Sequence, residues 1–456
     1  MVSYATLLSE QTISEDMKWI SLAPSYDFSL FPIGFINDEY YFQTNKDAPN
    51  SKVAKIKLDW SKARQVKKFT ELQDRPQVID VIPEREDALM QTFSGPYLTA
   101  GNNILIIYVE DGSNVLHLFS AETGKVIQQI IPHEKGTVTE VLVTRSRESF
   151  TLSLQTWDTP NKIFELKWDG YQFDTTTVSV SQIKGTNPDD FVIEELHATS
   201  KDGTLVPYFI TYRKGTNRNG KSPAWLHAYG AFGEVDKFYY KPNYFDFLRS
   251  YDGYFIWGTP RGGGDQTGGW HEAAQGLEKQ KTFDDIIAIA EELINQNFTS
   301  AGNIILEGVS VGGTAMGAVM NQATDLFGVV LMTRAPLDIF QLETRSSIGS
   351  GVAEEFGGVN TPEGFDAVMA WSPLQNLDPD KPYPAVLLIP AQNDERAPPS
   401  SNYKFIAQLQ YDHPSYSKPM LLYVAQNDRR VRADLLAGST QLCLIEQSLG
   451  ISRRKS

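Results

Sequence analysis

A single cysteine, Cys443, in 456 residues leaves no internal disulfide to hold a fold together. Stability must come from buried apolar surface, and the composition fits a reducing compartment. No apolar run approaches the ~18 residues of a membrane-spanning helix. Residues 1–16 also lack the basic stretch followed by an apolar one that marks a secretory signal. The expectation is therefore a cytoplasmic protein that does not engage membranes. Positive charge is scarce: 41 Lys and Arg stand against 56 Asp and Glu, for a formal net charge of -15. That balance argues against nucleic acid or an anionic surface as partner. No cofactor and no metal site is expected. What the chain does have is length and apolar content, 41% hydrophobic residues, enough for two cores rather than one.

The pattern along the chain changes near residues 186–191. Before it, short strands recur in pairs. Tyr40, Tyr41 and Phe42 precede a turn at Lys46-Asp47-Ala48-Pro49-Asn50 and a strand carrying Val53, Ile56 and Leu58. The plan repeats over residues 104–119 and again over 150–168, with Glu110-Asp111-Gly112 and Asp158-Thr159-Pro160-Asn161 as turns. Strand pairs recurring at tens of residues suggest propeller blades; a β-sandwich is the other reading. After Phe191, apolar runs at 207–212, 224–229, 254–258, 303–307, 327–332, 385–390 and 420–425 alternate with helical stretches at 283–296, 403–409 and 435–448. This predicts a doubly wound α/β domain over 186–456, with a mostly parallel sheet, behind antiparallel blades over 1–185.

Within the second half, Gly308-Val309-Ser310-Val311-Gly312 follows the apolar run Asn303-Ile304-Ile305-Leu306 and precedes small residues and helix formers. That strand, sharp turn and helix form the context of a nucleophile elbow. The turn would expose the Ser310 hydroxyl at the sheet edge, and the Val311 N–H could face a developing oxyanion. Tyr229 ends another strand, either as an oxyanion donor or as a packed aromatic. Asp394 follows the strand at 385–389, where this fold carries a triad acid; a helix N-cap is the alternative. Arg261-Gly262-Gly263-Gly264 lacks the Lys-Ser/Thr of a P-loop and reads as a tight structural turn.

From about Ile36 onward the sequence resembles the prolyl oligopeptidase family of serine peptidases. The likeness rests on Arg261-Gly262-Gly263-Gly264, Trp270-His271, Lys279-Gln280, Phe283-Asp284-Asp285, Phe298-Thr299-Ser300, Asp325-Leu326-Phe327-Gly328, Ser372-Pro373-Leu374 and Lys404-Phe405-Ile406-Ala407. It implies an α/β-hydrolase domain with a β-propeller, here an incomplete one. It also implies Ser310 as nucleophile, Asp394 as triad acid, Tyr229 and the Val311 N–H as oxyanion donors, and Arg396 and Phe232 as substrate contacts. Trp371 lies one helical turn beyond Ala367, which stands where the family has a substrate-stacking tryptophan. The implied substrate is a short peptide or a small amide or ester.

The departures are as specific. After the last core strand the sequence reads Ala425-Gln426-Asn427-Asp428-Arg429-Arg430, with no histidine. Asn427, or Arg430 on an ungapped count, stands in the family's histidine position, and neither side chain can act as a general base near neutral pH. The only histidine after Asp394 is His413, a substitute base only if its connection folds unusually. His227 and His271 read as structural. The family's N-terminal helical segment and first blades have no counterpart, so open sheet edges favour self-association. Two function classes follow: a serine hydrolase, or a non-catalytic relative binding a ligand or protein in the same cleft. A tailoring enzyme for a small metabolite is a further possibility.

Overall fold

The computed structural model describes residues 3–6, 17–23, 29–68, 71–72, 74–91, 95–110, 112–131, 136–185, 187–236, 239–415, 417–425 and 431–454. The chain divides into two compact units. One comprises residues 1–182, 237–239 and 266–269; the other comprises 183–236, 240–265 and 270–456.

The first unit is built from antiparallel sheets. Phe31–Ile36, Glu39–Thr44, Lys52–Lys57 and Val78–Ile82 make one four-stranded sheet in sequence order. Thr137–Val143, Ser149–Gln155, Lys162–Trp168 and Phe173–Val180 make another. Between them in sequence, Asn103–Glu110 pairs with Ser113–Ser120 and with the short strands Leu89–Met90 and Tyr97–Leu98, and Val126–Ile131 pairs with Ser113–Ser120. A two-stranded sheet joins Ser3–Thr6 to Trp19–Ala23. Strand periodicity explains how the sheets stack. Along Asn103–Glu110, Leu105 and Ile107 pack with Phe150, Leu152 and Leu154, while Ile104, Ile106 and Tyr108 pack with Tyr41 and Val53. A strand buried on both faces shows no polar alternation, which is why this one reads as a continuous apolar run. The pairs read from the sequence are the middle strands of larger sheets. An outer strand such as Phe173–Val180 is exposed along almost its whole length and carries a polar, threonine-rich sequence.

The second unit holds one eight-stranded sheet, whose strands are numbered here within the unit. They are β1 (Phe191–Thr199), β2 (Leu205–Arg213), β3 (Ala224–Ala228), β4 (Tyr254–Gly258), β5 (Ile304–Val309), β6 (Phe327–Thr333), β7 (Ala385–Ile389) and β8 (Met420–Leu422). The spatial order is β1-β2-β4-β3-β5-β6-β7-β8. β1, β2 and β4 pair antiparallel and every later pair is parallel. The helices are α1 (Pro242–Ser250), α2 (Gln280–Asn295), α3 (Val311–Gln322), α4 (Ile339–Arg345), α5 (Gly349–Phe356), α6 (Pro362–Met369), α7 (Ser400–Asp412) and α8 (Val431–Leu449). The central strands are buried from end to end, as a sheet covered on both faces requires. One core runs from Val206 and Leu226 through Leu306, Met316 and Val330 to Leu388 and Phe405. β8 is shorter than its apolar run. The chain stays in register by single bonds, from Tyr423 N–H to Leu388 O and from Ala425 N–H to Pro390 O, both 2.8 Å. None of the described helices is long and apolar enough to cross a membrane.

Candidate active site

β5 delivers Ser310 and α3 begins at the next residue. Ser310 sits at φ 56° and ψ -129°, a region that L-residues rarely occupy and that stores strain at functional turns. The surrounding packing enforces this geometry. A Cβ on Gly308 would lie 2.5 Å from the Gly312 carbonyl carbon and oxygen, and one on Gly312 would lie 2.8 Å from Ala228 O. Two glycines flank the serine because β5, α3 and β3 approach to within backbone contact. The turn is pinned from the other side by the Ser310 N–H, which donates to Thr333 O at the end of β6, 2.8 Å away. Val311 is the first residue of α3, so its N–H has no acceptor within the helix.

Tyr229 follows β3, adjacent to β5 in the sheet. Its ring lies against the elbow, with Cδ2 only 3.1 Å from where a Gly312 Cβ would stand. Burial raises its hydroxyl above the ordinary tyrosine value, helped by the carboxylates of Glu234, Asp236 and Glu355 and opposed by Arg396. The phenol is therefore a neutral donor. Asp394 and Arg396 leave the end of β7, two strands from β5. Asp394 Oδ1 accepts the N–H groups of Arg396 (3.0 Å) and Ala397 (2.9 Å). It caps that turn and not a helix, because α7 starts only at Ser400, behind Pro399. The loop is tied to the segment before α5: Ser346 Oγ donates to Arg396 O (2.9 Å), and the Ser347 N–H donates to Glu395 O (3.2 Å). Ser310, Tyr229, Asp394 and Arg396 thus all emerge at the carboxyl edge of the parallel strands.

Phe232 adopts a left-handed φ of 57° and meets the Phe356 ring edge-on, 6.1 Å between centroids. Trp371 packs on Phe356 and Phe283 and is only 3% exposed, so it forms the floor of this aromatic cluster. His413 caps the carboxyl end of α7 and lies 5.5 Å from the Tyr383 ring, just ahead of β7. That is the opposite edge of the sheet from Ser310. Asn427 and Arg430 lie outside the described residues.

Three buried charged clusters support the loops, and sequence reasoning did not find them. Arg261 donates its N–H and guanidinium to Asp285, at 2.7 to 2.9 Å, and also bonds Asp202. The glycine turn behind it is a packing device: a Cβ on Gly262 would lie 2.5 Å from Gly230 O. Lys279, 2% exposed, donates to Gly230 O (2.8 Å) and to Glu355 (2.7 Å), whose other oxygen bonds His271 Nε2 (2.8 Å). Burial pulls the Lys279 amine below its ordinary value, against the opposing charge of Glu355. Finally, His227 on β3 bonds Glu307 on β5. A histidine and a glutamate inside otherwise apolar strands are the sequence signal for this pair. Among the described residues, no group of His, Cys, Asp and Glu is arranged to hold a metal ion.

Two family models match the sequence. Residues 239–429 match the prolyl oligopeptidase family, and residues 18–178 match the prolyl oligopeptidase N-terminal β-propeller domain. The chain belongs to the prolyl oligopeptidase family and has its fold, propeller blades followed by an α/β-hydrolase domain. It is 28% identical over 422 residues to the dual function macrocyclase-peptidase POPB of Galerina marginata, covering 91% of this chain and 55% of that protein. It is 27% identical over 376 residues to a prolyl endopeptidase of Dictyostelium discoideum, covering 82% of this chain and 48% of that protein. Among solved structures, prolyl oligopeptidase B from Galerina marginata, bound to a 35mer hydrolysis and macrocyclization substrate, aligns with a TM-score of 0.87 at 26% identity. That alignment covers 99% of this chain and 62% of the other. The chain spans about half the length of the curated relatives it matches.

Proposed function

We propose that this chain is a serine hydrolase of prolyl oligopeptidase type, acting on a short peptide or a small amide or ester through Ser310. The observation that carries this reading is the strained backbone of Ser310 at a β5–α3 turn where no Cβ fits on either side, with the Tyr229 ring against it. A turn that merely joined a strand to a helix would have no use for that strain. In this reading the Ser310 hydroxyl attacks the substrate carbonyl. The Tyr229 hydroxyl and the Val311 N–H stabilise the oxyanion, Arg396 holds a substrate carbonyl, and Phe232, backed by Phe356 and Trp371, forms the apolar pocket. Asp394 occupies the acid position. Peptide substrates are named for the Galerina marginata structure, which supports the same class here.

Residues 426–430 contain no histidine, and His413 lies at the far edge of the sheet. This favours slow turnover, or a relative that binds a peptide without cleaving it. Hydrolysis left to the oxyanion site and substrate binding alone retains roughly 10³–10⁴-fold acceleration over water. Labelling the protein with a fluorophosphonate probe, with Ser310→Ala as control, tests the nucleophile. Hydrolysis of a Gly-Pro-coumarylamide reporter by the parent and by Asn427→His tests the missing base. An unlabelled Ser310 would sink the hydrolase reading. Efficient cleavage by the parent that His413→Ala abolishes would make His413 the base. We also expect self-association through outer strands such as Thr137–Val143, where Leu142 is 56% exposed; sedimentation as a monomer at high concentration would contradict this.

A further inference from the structure

Strands β3 and β5 pair in parallel from Ala224 and Ile304 to His227 and Glu307, and that is their last rung. Beyond it the strands part, one to Tyr229 and the other to Ser310. On this rung stands a buried ion pair. His227 is 3% exposed and Glu307 2%, and His227 Nδ1 bonds the Glu307 carboxylate directly. The Tyr244 hydroxyl, from α1, donates to the same carboxylate oxygen at 2.6 Å. His227 Nε2 lies 3.1 Å from Asp236, and the Tyr244 and Trp257 rings enclose the imidazole at 5.7 and 5.4 Å. Burial alone would discharge this histidine, but the carboxylates of Asp236 and Glu307 outweigh it and hold the imidazolium.

Stability does not account for such a pair. Removing the charges of His227, Glu307 and Asp236 from water costs about as much as their attraction returns, and apolar residues of similar volume usually do as well. A charged bridge does supply direction and a fixed separation. Here it spans the two strand ends whose donors, the Tyr229 hydroxyl and the Val311 N–H, must meet on one oxygen. We propose that His227 and Glu307 are positioning residues that lock the ends of β3 and β5, so that both oxyanion donors converge beside Ser310. The proposal rests on the reading of Ser310 as nucleophile.

The test uses the full chain, with the apolar double variant His227→Leu/Glu307→Leu and the milder Glu307→Gln. Two readouts are needed. One is the fluorophosphonate labelling rate at saturating probe, with its half-saturation concentration. The other is the ¹⁹F resonance of 3-fluorotyrosine placed at position 229, which reports the position of that ring whether or not Ser310 reacts. The double variant leaves the Asp236 carboxylate without the imidazolium it faces, so its thermal midpoint should fall below the parent's while the chain stays folded. Its labelling rate at saturation should fall about ten- to a hundredfold, as for a misplacement of about an ångström. Half-saturation should stay put, and the ¹⁹F resonance should move. Glu307→Gln should move both in the same direction by less. A ¹⁹F resonance unmoved in a folded variant, or labelling at the parent's rate, would overturn the proposal. If the double variant does not fold, Glu307→Gln decides by the same two readouts. If the parent itself is not labelled, the nucleophile reading fails, and the ¹⁹F shift alone still decides whether the pair sets the position of Tyr229.

Discussion

Replacing Ser310 by glycine should make the protein more stable than replacing it by alanine. Both substitutions remove the hydroxyl, so their difference isolates the backbone. At φ 56° and ψ -129°, alanine keeps the clash between Cβ and the main chain, a strain of about 1–3 kcal/mol. Glycine relieves it but adds freedom to the unfolded chain, which costs about 0.5–1 kcal/mol. The balance favours Ser310→Gly over Ser310→Ala by up to about 2.5 kcal/mol, centred on about 1 kcal/mol. For a body of this size that is a rise in thermal midpoint of several degrees, at about 2–4 °C per kcal/mol. Urea unfolding followed by tryptophan emission reads both units, since four of the eight tryptophans, Trp225, Trp257, Trp270 and Trp371, lie in the unit that holds the turn, and the transition that shifts between the two variants is the one to compare. Equal stabilities, or alanine above glycine, would refute the claim that this turn stores strain.

Tyr229→Phe should slow fluorophosphonate labelling of Ser310 by roughly 10²–10³-fold, the usual cost of one oxyanion donor, with little change in half-saturation. Gly313→Ala should lower stability by about 1–3 kcal/mol through overpacking, because its Cβ would stand 2.6 Å from the Ala335 Cβ; chemical denaturation reads this directly. The Glu307 bridge should also leave a signature in acid. Burial raises the pKa of this carboxyl, but the charges of His227 and Lys241 and the bonds from His227 and Tyr244 outweigh it and bring it down to about 2 from an ordinary 4.5. A lowered carboxyl stabilises the fold above its unfolded value and loses that contribution as pH falls through its folded value. The stability gap between the parent and Glu307→Gln should therefore hold above pH 4.5 and shrink towards pH 2. A gap that widens on acidification would contradict the assigned direction.

The elbow was legible because strand, turn and helix follow one another within a few residues, and because glycine flanks the serine on both sides. The central strands were legible as unbroken apolar runs, which strands buried on both faces must be. β1 escaped notice because its residues Phe191–Thr199 are mostly half-exposed or exposed and include Glu194 and Glu195. Helices α4 to α6 have seven or eight residues each, too few for a helical period to stand out. The ionic clusters were the least legible feature. Glu307 finds His227 80 residues earlier in sequence, and Lys279 finds Glu355 76 residues later. A charged residue inside an apolar strand marks His227 and Glu307 each by itself, but no local pattern encodes which partner it meets; the strand register and the loop folding bring the partners together.

The buried clusters also bear on how this sequence can change over generations. Losing one member of a pair such as Lys279–Glu355 or Arg261–Asp285 strands its partner's charge in the interior, at about 3–5 kcal/mol. That is a large part of the total stability of an ordinary domain, about 5–15 kcal/mol. Exchanging both members together for apolar residues spares that charge but still takes a partner from His271 and the Gly230 carbonyl, or from Asp202, so even the double exchange is costly. The clusters are therefore historically locked. Descendants of this chain should keep both partners of each pair, while the apolar positions around them drift one residue at a time.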